Sequence, residues 1–415
     1  MLTYFFPYQS RRYLQMPLMG PLMDPFASWL YDQHYTHRSG RFELRMAGRA
    51  AAYLKRRGVK QVDTLTEDDL KRCYAWFRQK YPLEAGGVHV LARFLRETGR
   101  LRPGVTATKN PTEALLDAFD FHLREERGYV PATIHCQVGY ANEFLKGLEF
   151  DKSPDCLSSL KIDDIENYIR RMAKRMSRIG LQKPVATVRN LVRFLAARGT
   201  ITPGLDQQID RPRVFRQEQL PRALPWETVE AFLESIDRNV DIGKRDYAMF
   251  VLMATYGLRA CDIVALTLDD IQWRAGCIRI CQTKTGKPLE IPLTDEVRSA
   301  LYDYLKQVPR HGSFRQLFLR FRAPAIALKR TAVTEAFQAW SRRSGLDIPY
   351  KGAQCIRHSY ALNLLRKGQS LKTIGDILGH QSPESTAVYI RLATEDLRQV
   401  GLPIPVSARV QEGQR

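Results

Sequence analysis

Apolar residues along much of the chain recur with the spacing of one face of an α-helix. Val188, Leu191, Val192 and Leu195 lie at positions i, i+3, i+4 and i+7, and Gly199 then provides a helix stop. Further helices are predicted at 226–236, 245–258, 331–346, 355–368 and 370–379. The pattern therefore predicts a chain built mainly from helices.

A different pattern occurs at residues 276–294, where apolar and polar positions alternate. Ile278 and Ile280 precede a Thr-Gly-Lys turn, and Leu289 and Ile291 follow it. Two alternating runs joined by a glycine-containing turn are typical of a β-hairpin. The expected fold class is therefore mainly α with a small β-sheet.

Two segments of the chain, 88–104 and 188–204, are alike, with Val, Leu, Arg, Phe, Leu, Gly, Pro and Gly recurring in register. Weaker similarity upstream pairs 64–77 with 159–172 and 51–58 with 141–149. Self-similarity of this kind indicates two copies of one helical module.

The length of 415 residues exceeds one ordinary domain of about 100–200 residues, so two to three domains are expected. The predicted boundaries are an N-terminal helical module at 1–105, a second helical domain at 106–210, a linker at 211–225, a third domain at 226–400 and a tail at 401–415. The linker is assigned from its proline and arginine content, which favours extended chain.

The charge balance sets this chain apart from an average soluble protein. It carries 64 Lys and Arg against 44 Asp and Glu, a net charge of +20. Such a surplus favours a polyanionic partner, and nucleic acid is the first candidate. The longest strongly apolar run, 247–258, is shorter than the roughly 20 residues that a membrane span needs. No membrane partner is therefore expected.

The N-terminal segment and the cysteines bear on the cellular compartment of the protein. The N-terminus lacks the basic region and small-residue cleavage site of a signal peptide, so a cytoplasmic protein is predicted. The seven cysteines form no C-x-x-C pair, and reduced thiols are expected.

A dense basic stretch, 170–178, is predicted to lie on one helix of the second module and contains no acidic residue. Its basic residues are Arg170, Arg171, Lys174, Arg175 and Arg178. A solvated helix face and a DNA phosphate contact are both open for this stretch.

Basic and hydroxyl side chains also fall at the ends of predicted elements in the last third. Arg259 lies between two helices, Lys284 at the hairpin tip and Arg357 at a helix start. His380 follows a helix stop, and Tyr389 comes nine residues later on a predicted short helix. Without a carboxylate cluster this set suits phosphate better than a metal, because guanidinium groups match phosphate oxygens. Neither a metal nor a cofactor is expected.

These motifs resemble those of the tyrosine recombinases, or phage integrase family. In chain order they are G-L-R, a hairpin lysine before T-G, R-H at a helix start, and L-G-H with a tyrosine nine residues on. The resemblance runs from about 111 to 400. It implies a helical, SAM-like core-binding domain at 106–210 and an α+β catalytic domain at 226–400, which together clamp duplex DNA. It also implies homo-oligomers on DNA, from dimer to tetramer, alone or with partner recombinases.

The resemblance assigns a role to each motif residue. Tyr389 would attack the scissile phosphate and form a 3′-phosphotyrosine, which conserves the bond energy without ATP. Arg259 and Arg357 would hold the non-bridging oxygens, Lys284 would protonate the leaving 5′-oxygen, and His380 would hydrogen-bond the phosphate.

One position departs from the family pattern. The family usually has His three residues before the second arginine, where this chain has Gln354. Glutamine can donate a hydrogen bond to phosphate, but it cannot shuttle a proton. The neighbouring His358 is expected to be structural, because it lies about 100° around the helix from Arg357.

Three functions remain open from the residues. The first is a site-specific recombinase or integrase, which the extra module at 1–105 associates with a mobile element; that module would contact DNA or a partner protein. The second is a type IB topoisomerase, which shares the chemistry. The third is a DNA-binding accessory subunit with weak catalysis, which Gln354 motivates.

Overall fold

The computed structural model describes residues 1–102, 110–215, 218, 220–284, 286–307, 314–323, 326–380 and 382–392. The chain divides into two compact units. One comprises Met1–Gly48 with Gln219–Arg415, and the other Arg49–Glu218. The predicted tail at 401–415 lies outside the described residues.

The N-terminal hundred residues form helices that differ in length and in how they begin. They are α1 (Leu2–Phe5), α2 (Ser10–Leu14), α3 (Gly20–Asp32), α4 (His37–Arg56), α5 (Glu67–Lys80) and α6 (Gly86–Glu97). Helix α5 begins at a capping box, in which Thr66 and Asp69 satisfy each other's backbone amides.

The apolar faces of the next helices enclose one core. These helices are α7 (Pro111–Phe121), α8 (Pro131–Gly147), α9 (Ile162–Ala173) and α10 (Arg178–Ala197). Phe119, Phe144, Leu191 and Leu195 are fully buried in that core. The predicted apolar stripe of α10 therefore faces inward.

The start of α9 repeats a detail of the start of α5. The Asp69 carboxylate accepts a hydrogen bond from the Thr66 amide at 3.1 Å, and the Asp164 carboxylate accepts one from the Lys161 amide at 3.0 Å. These residues correspond in the aligned segments 64–77 and 159–172. The two stretches therefore share a helix-start geometry, as the internal repeat predicts.

The last third contains helices and one antiparallel sheet. The helices are α11 (Trp226–Glu234), α12 (Asp241–Tyr256), α13 (Ala260–Ala265), α14 (Asp295–Gln307), α15 (Arg330–Ser344), α16 (Gln354–Arg366), α17 (Leu371–Leu378) and α18 (Pro383–Ala387). The strands, in sheet order, are β1 (Ile271–Gln272), β2 (Cys277–Cys281) and β3 (Pro288–Pro292).

The predicted hairpin is present, with Ile278 opposite Ile291 and Ile280 opposite Leu289. Strand β1 was not predicted, because two residues are too few to show alternation. The fold class, mainly α with a small sheet, is confirmed.

Helix ends in this part of the chain follow the predicted signals. Gly257, Gly345 and Gly379 each adopt a positive φ at the end of a helix, which a residue without a Cβ does readily. Ser370 caps α17, and its hydroxyl accepts a hydrogen bond from the Thr373 amide at 3.1 Å. These ends matter for function because Arg259 comes two residues after Gly257 and His380 directly follows Gly379.

A buried helix holds the last third together. Helix α12 is apolar on most of its surface, and Phe250 packs against Phe232 and Phe337. Its buried Asp246 accepts hydrogen bonds from Arg245 and from the Trp340 indole. Because α12 is buried along most of its length, it fixes the position at which the loop after Gly257 begins.

None of the helices in the described parts of the chain combines the length and apolar composition of a bilayer span. All seven cysteine thiols are unpaired.

Candidate active site

One cavity of about 280 Å³ brings the motif residues together. Its lining includes all the residues singled out from the motifs: Arg259, Lys284, Gln354, Arg357, His380 and Tyr389. The cavity lies within the unit that contains the last third of the chain. Residues up to 130 positions apart in sequence, from 259 to 389, therefore share a single site.

Arg259 stands at the junction of α12 and α13. The chain leaves α12 through the left-handed Gly257, and Arg259 is the N-cap residue of α13. Its Nη1 lies 3.5 Å from the Gln282 side-chain oxygen and 3.8 Å from Asp262 Oδ2. The guanidinium is thus held by one side chain next to the hairpin turn, Gln282, and by one on its own helix, Asp262.

Asp262 is a site residue that the sequence interpretation missed. Its side chain is 1% exposed, and its Oδ1 accepts a hydrogen bond from the Thr283 amide at 2.9 Å. Thr283 directly precedes Lys284, so the carboxylate connects Arg259 to the hairpin tip. The available signal was the spacing, because an acid three residues after an arginine on a helix can pair with it.

Lys284 and Gln354 are the exposed members of the set. Lys284 lies in the turn between β2 and β3, and Gln354 is the first residue of α16. Their exposure leaves both side chains able to reach a ligand that enters the cavity from solvent.

Arg357 lies at the back of the site and is 2% exposed. Its Nη1 donates to the Gly257 carbonyl, and its Nη2 donates to the Leu378 carbonyl at 2.8 Å. Burial, with a further effect of Arg259, lowers the pKa of Arg357 to about 10, so the group remains charged at neutral pH. One guanidinium therefore connects the ends of α12 and α17.

His380 follows the left-handed Gly379 at the end of α17. A Cβ at position 379 would lie 2.1 Å from Gln282 Nε2, and the backbone there is left-handed, so glycine is the residue that fits without displacing that buried side chain. His380 Nδ1 pairs with Thr386 Oγ1 at 2.8 Å. Burial lowers the pKa of His380 to about 4, and the ring is neutral at physiological pH.

Tyr389 is buried, at 2% exposure, in a small cluster with Ala361, Ile374 and Leu378. The prediction that it lies on a short helix is wrong, because α18 ends at Ala387 and Tyr389 occupies the following turn. Burial raises the pKa of its hydroxyl, against the opposing effect of the two arginines. The residue thus serves packing and faces the cavity at the same time.

His358 was expected to be structural only, but its Nδ1 lies 3.0 Å from the Tyr389 hydroxyl oxygen, so it also contacts a site residue. The rotation of about 100° from Arg357 does not take His358 off the cavity face. Position 358 also lies one turn after Gln354, at i+4, and residues four apart share a helix face. His358 therefore belongs to the face that lines the cavity.

The basic stretch 170–178 does not lie on one helix, contrary to the prediction. Helix α9 ends at Ala173, and Ser177 caps the start of α10 by accepting from the Gly180 amide at 3.3 Å. The Ser177 hydroxyl takes up a backbone amide at the start of α10, which favours a helix start there over the continuation of α9. The stretch therefore spans a turn between two helices.

All five basic residues of this stretch are exposed, and three of them pair with acids. The pairs are Arg170 with Glu166, Arg175 with Glu143 and Arg178 with Glu218. Exposed pairs contribute about 0–1 kcal/mol, so phosphates can displace them. A DNA contact there stays a prediction.

The cavity combines fixed positive charge with two hydroxyl side chains, the buried Tyr389 and the exposed Ser385. Arg259, Arg357 and Lys284 are cationic, whereas the pKa of each imidazole, His358 and His380, is lowered to about 4 by burial. Among the described residues no group of three His, Cys, Asp or Glu side chains is arranged to hold a metal ion. The arrangement suits a phosphodiester.

Known proteins resemble the chain in sequence. The model of the Phage integrase family matches residues 222–396. A Sinorhizobium fredii protein, y4rA, to which an integrase/recombinase function is ascribed, is 31% identical over 405 residues, covering 95% of this chain and 98% of y4rA. Tyrosine recombinase XerD of Listeria innocua is 26% identical over 292 residues, covering 69% of this chain and 96% of XerD.

Solved structures share the fold. A lambda integrase dimer bound to a COC′ core site has a TM-score of 0.52 at 17% identity, covering 78% of this chain and 89% of that one. The Tn1549 transposon integrase with circular intermediate DNA has a TM-score of 0.52 at 18% identity, covering 68% and 98%. Because the similarity to y4rA extends over nearly the whole sequence, this chain belongs to the phage integrase family, the tyrosine recombinases.

Proposed function

We propose that this chain is a site-specific DNA recombinase that cleaves and rejoins strands through a 3′-phosphotyrosine at Tyr389. The observation that carries the proposal is the cavity in which a buried tyrosine hydroxyl meets two arginines, a lysine and two imidazoles. A pocket of this size and charge accepts one phosphodiester, and its nucleophile is part of the same wall.

The arginines hold the phosphate and stabilise its transition state. The Arg357 guanidinium uses one N–H on each Nη for the Gly257 and Leu378 carbonyls, which leaves its other N–H groups for phosphate oxygens. Arg259 is oriented by Gln282 and Asp262 and meets the same phosphate. Groups fixed in this way need no reorganisation as charge develops.

The remaining groups complete the transfer. Tyr389 Oη forms a bond to phosphorus while the bond from phosphorus to the 5′-oxygen breaks, and Lys284 gives that oxygen a proton. His380, held by Thr386, donates to a phosphate oxygen from its other ring nitrogen. In the reverse reaction a 5′-hydroxyl attacks the phosphotyrosine, which joins the strand to a new partner.

The type IB topoisomerase and the accessory subunit are the rival functions. Relatives named as integrase/recombinase and tyrosine recombinase favour recombination over supercoil relaxation. We assign the chain to a mobile element because the full-length relative y4rA carries an integrase function by name. Since its substrate is DNA and its thiols are unpaired, we propose that it acts in the cytoplasm.

The test of this function is covalent capture on DNA. A duplex with a nick near the scissile phosphate loses its short 5′-hydroxyl fragment after cleavage, so the protein remains attached to the 3′ end. We expect a band shifted by the mass of the protein in a denaturing gel, and mass spectrometry should find the nucleotide on Tyr389. If no covalent adduct forms on any of the nicked target duplexes, the recombinase function is contradicted and the accessory subunit is favoured.

The N-terminal module offers a separate prediction about DNA contact. Lys55, Arg56 and Arg57 are exposed at the end of α4. If each neutralises a phosphate, changing all three to Gln makes the slope of log affinity against log salt shallower by about 0.9 per contact, or roughly 2.7 in total. Fluorescence anisotropy across a salt series measures this slope.

The matched control for that prediction is Arg96→Gln. Arg96 is also on this module, but its guanidinium is bonded to both oxygens of Glu67, at 2.8 and 3.1 Å, and phosphate displaces such a bidentate pair less readily than the single contacts made at 170–178. We expect this variant to keep the salt slope of the unmodified protein. An unchanged slope in the triple variant, with loss of larger complexes on a sizing column, would instead make the module a protein interface.

A further inference from the structure

The hydroxyl of the proposed nucleophile has a hydrogen-bond partner of its own. His358 Nδ1 lies 3.0 Å from Tyr389 Oη, which is the distance of a normal hydrogen bond. The two ring centroids are 5.7 Å apart and tilted by 51°, so the imidazole meets the phenol through the ring nitrogen. The contact is therefore directed at the reacting atom.

The other imidazole in the cavity is oriented differently. His380 lies 6.3 Å from the Tyr389 ring with an interplanar angle of 13°, which is a stacked arrangement. Its Nδ1 already pairs with Thr386 Oγ1. His380 thus supports the tyrosine ring, whereas His358 contacts its hydroxyl.

Gln354 cannot take up a proton, and His358 on the same helix places an imidazole within reach of the tyrosine hydroxyl. Both residues line the cavity and lie four positions apart, one helical turn. The next turn of the same face carries Ala361, which is buried against Tyr389. A small residue there lets the tyrosine approach the helix beside His358.

We propose that His358 is a catalytic residue of this chain, accepting the proton of the Tyr389 hydroxyl as that oxygen attacks the phosphate. The inference rests on the proposed recombinase function. In cleavage the bond between Tyr389 Oη and phosphorus forms, the proton moves to His358 Nδ1, and the 5′-oxygen leaves with a proton from Lys284. Rejoining reverses each transfer, and His358 returns the proton to the departing tyrosine.

The surroundings of His358 fit a proton acceptor. The charged and titratable groups near it are Arg357 on its own helix, Arg222 from the segment before α11, His380 and Tyr389. Burial and the two arginines lower the pKa of His358 to about 4, so the free ring is neutral. A bound phosphodiester carries negative charge next to Arg357, which counteracts that effect and raises the basicity of the imidazole.

The experiment uses His358→Gln in the full chain on the nicked duplex. Gln keeps a hydrogen-bonding side chain but cannot take a proton. We expect adduct formation near pH 7 to slow by about 10²–10³-fold, with DNA affinity within a few-fold of the unmodified protein. We also expect the variant's rate to rise about tenfold per pH unit between about pH 6 and 8, because it depends on the phenolate fraction, while the unmodified protein stays nearly flat.

Two further measurements separate this role from a structural one. A duplex with sulfur in place of the bridging 5′-oxygen has a leaving group that needs no proton, so it should rescue Lys284→Ala but leave His358→Gln slow. The double variant Gln354→His, His358→Gln should regain at least about tenfold in rate, because an imidazole then returns to the same helix face. His122→Gln, a change on another unit, serves as the histidine control and should match the unmodified protein.

Adduct formation in His358→Gln within about threefold of the unmodified rate would overturn the assignment, as would rescue of that variant by the sulfur substrate. A double variant no faster than the single one, together with a flat pH profile, would assign His358 to packing alone. These outcomes are interpreted only when the unmodified chain forms its adduct. Absence of that adduct overturns the recombinase function itself.

Discussion

Replacing Tyr389 with Phe is expected to abolish covalent attachment to DNA. The change removes one oxygen and keeps the ring, whose packing against Ala361, Ile374 and Leu378 accounts for its burial. Without the oxygen no phosphotyrosine can form, so the rate of adduct formation should fall below detection. Gel analysis of nicked duplexes measures the adduct, and DNA affinity should stay within a few-fold.

The matched control is Tyr360→Phe on α16. Tyr360 is partly buried beside the same small cluster, so the change also removes a phenolic oxygen near the site. This variant should form the adduct at close to the unmodified rate. Persistence of a covalent complex in Tyr389→Phe would mean that another side chain is the nucleophile, and peptide mapping would identify it.

Arg259→Ala and Arg357→Ala are each expected to slow cleavage by about 10²-fold or more, because each removes a charged donor to the phosphate. Their effects on stability should differ. Arg357 is buried and bonded to the Gly257 and Leu378 carbonyls, so its loss should lower the free energy of unfolding by roughly 2–4 kcal/mol. Arg259 has only longer contacts, at 3.5 and 3.8 Å, and its loss should cost less.

Single-turnover cleavage and denaturant unfolding measure these two effects separately. Arg279→Ala provides the control, because Arg279 lies on β2 with 63% of its side chain exposed and pairs with Glu290 at 3.3 Å. It should change neither quantity appreciably. Cleavage at the unmodified rate in Arg259→Ala or Arg357→Ala would exclude that arginine from the phosphate clamp.

Local signals were sufficient to predict much of the fold. Ser370 and Gly379 bound α17 because a serine cap and a left-handed glycine act within one helical turn. The hairpin was likewise predicted from the alternation on either side of its turn, and the structure pairs Ile278 with Ile291. The same signals were overlooked at Ser177, where a cap divides the basic stretch between two helices.

What the sequence did not reveal depends on tertiary contacts. The spacing of Asp262 to Arg259 was a local signal, but its bond to the Thr283 amide comes from a hairpin that no local pattern connects to α13. The contact of His358 with Tyr389 joins residues that are 31 positions apart. Ordered motifs located the cavity, but the partners that orient its side chains could be identified only from packing.

Gly379 has a consequence for how relatives of this chain can diverge. Every replacement adds a Cβ, which would meet the side chain of Gln282 at 2.1–2.5 Å in a left-handed backbone. Gln282 is 2% exposed and contacts Arg259 Nη1 and the Leu378 carbonyl, both at 3.5 Å, so its side chain could make room only by leaving these two contacts. A substitution at 379 therefore either displaces the Gln282 side chain from the arginine or requires a smaller residue at 282, and the left-handed backbone strains it in both cases. Across descendants of this sequence, the two positions should therefore vary together or stay fixed together.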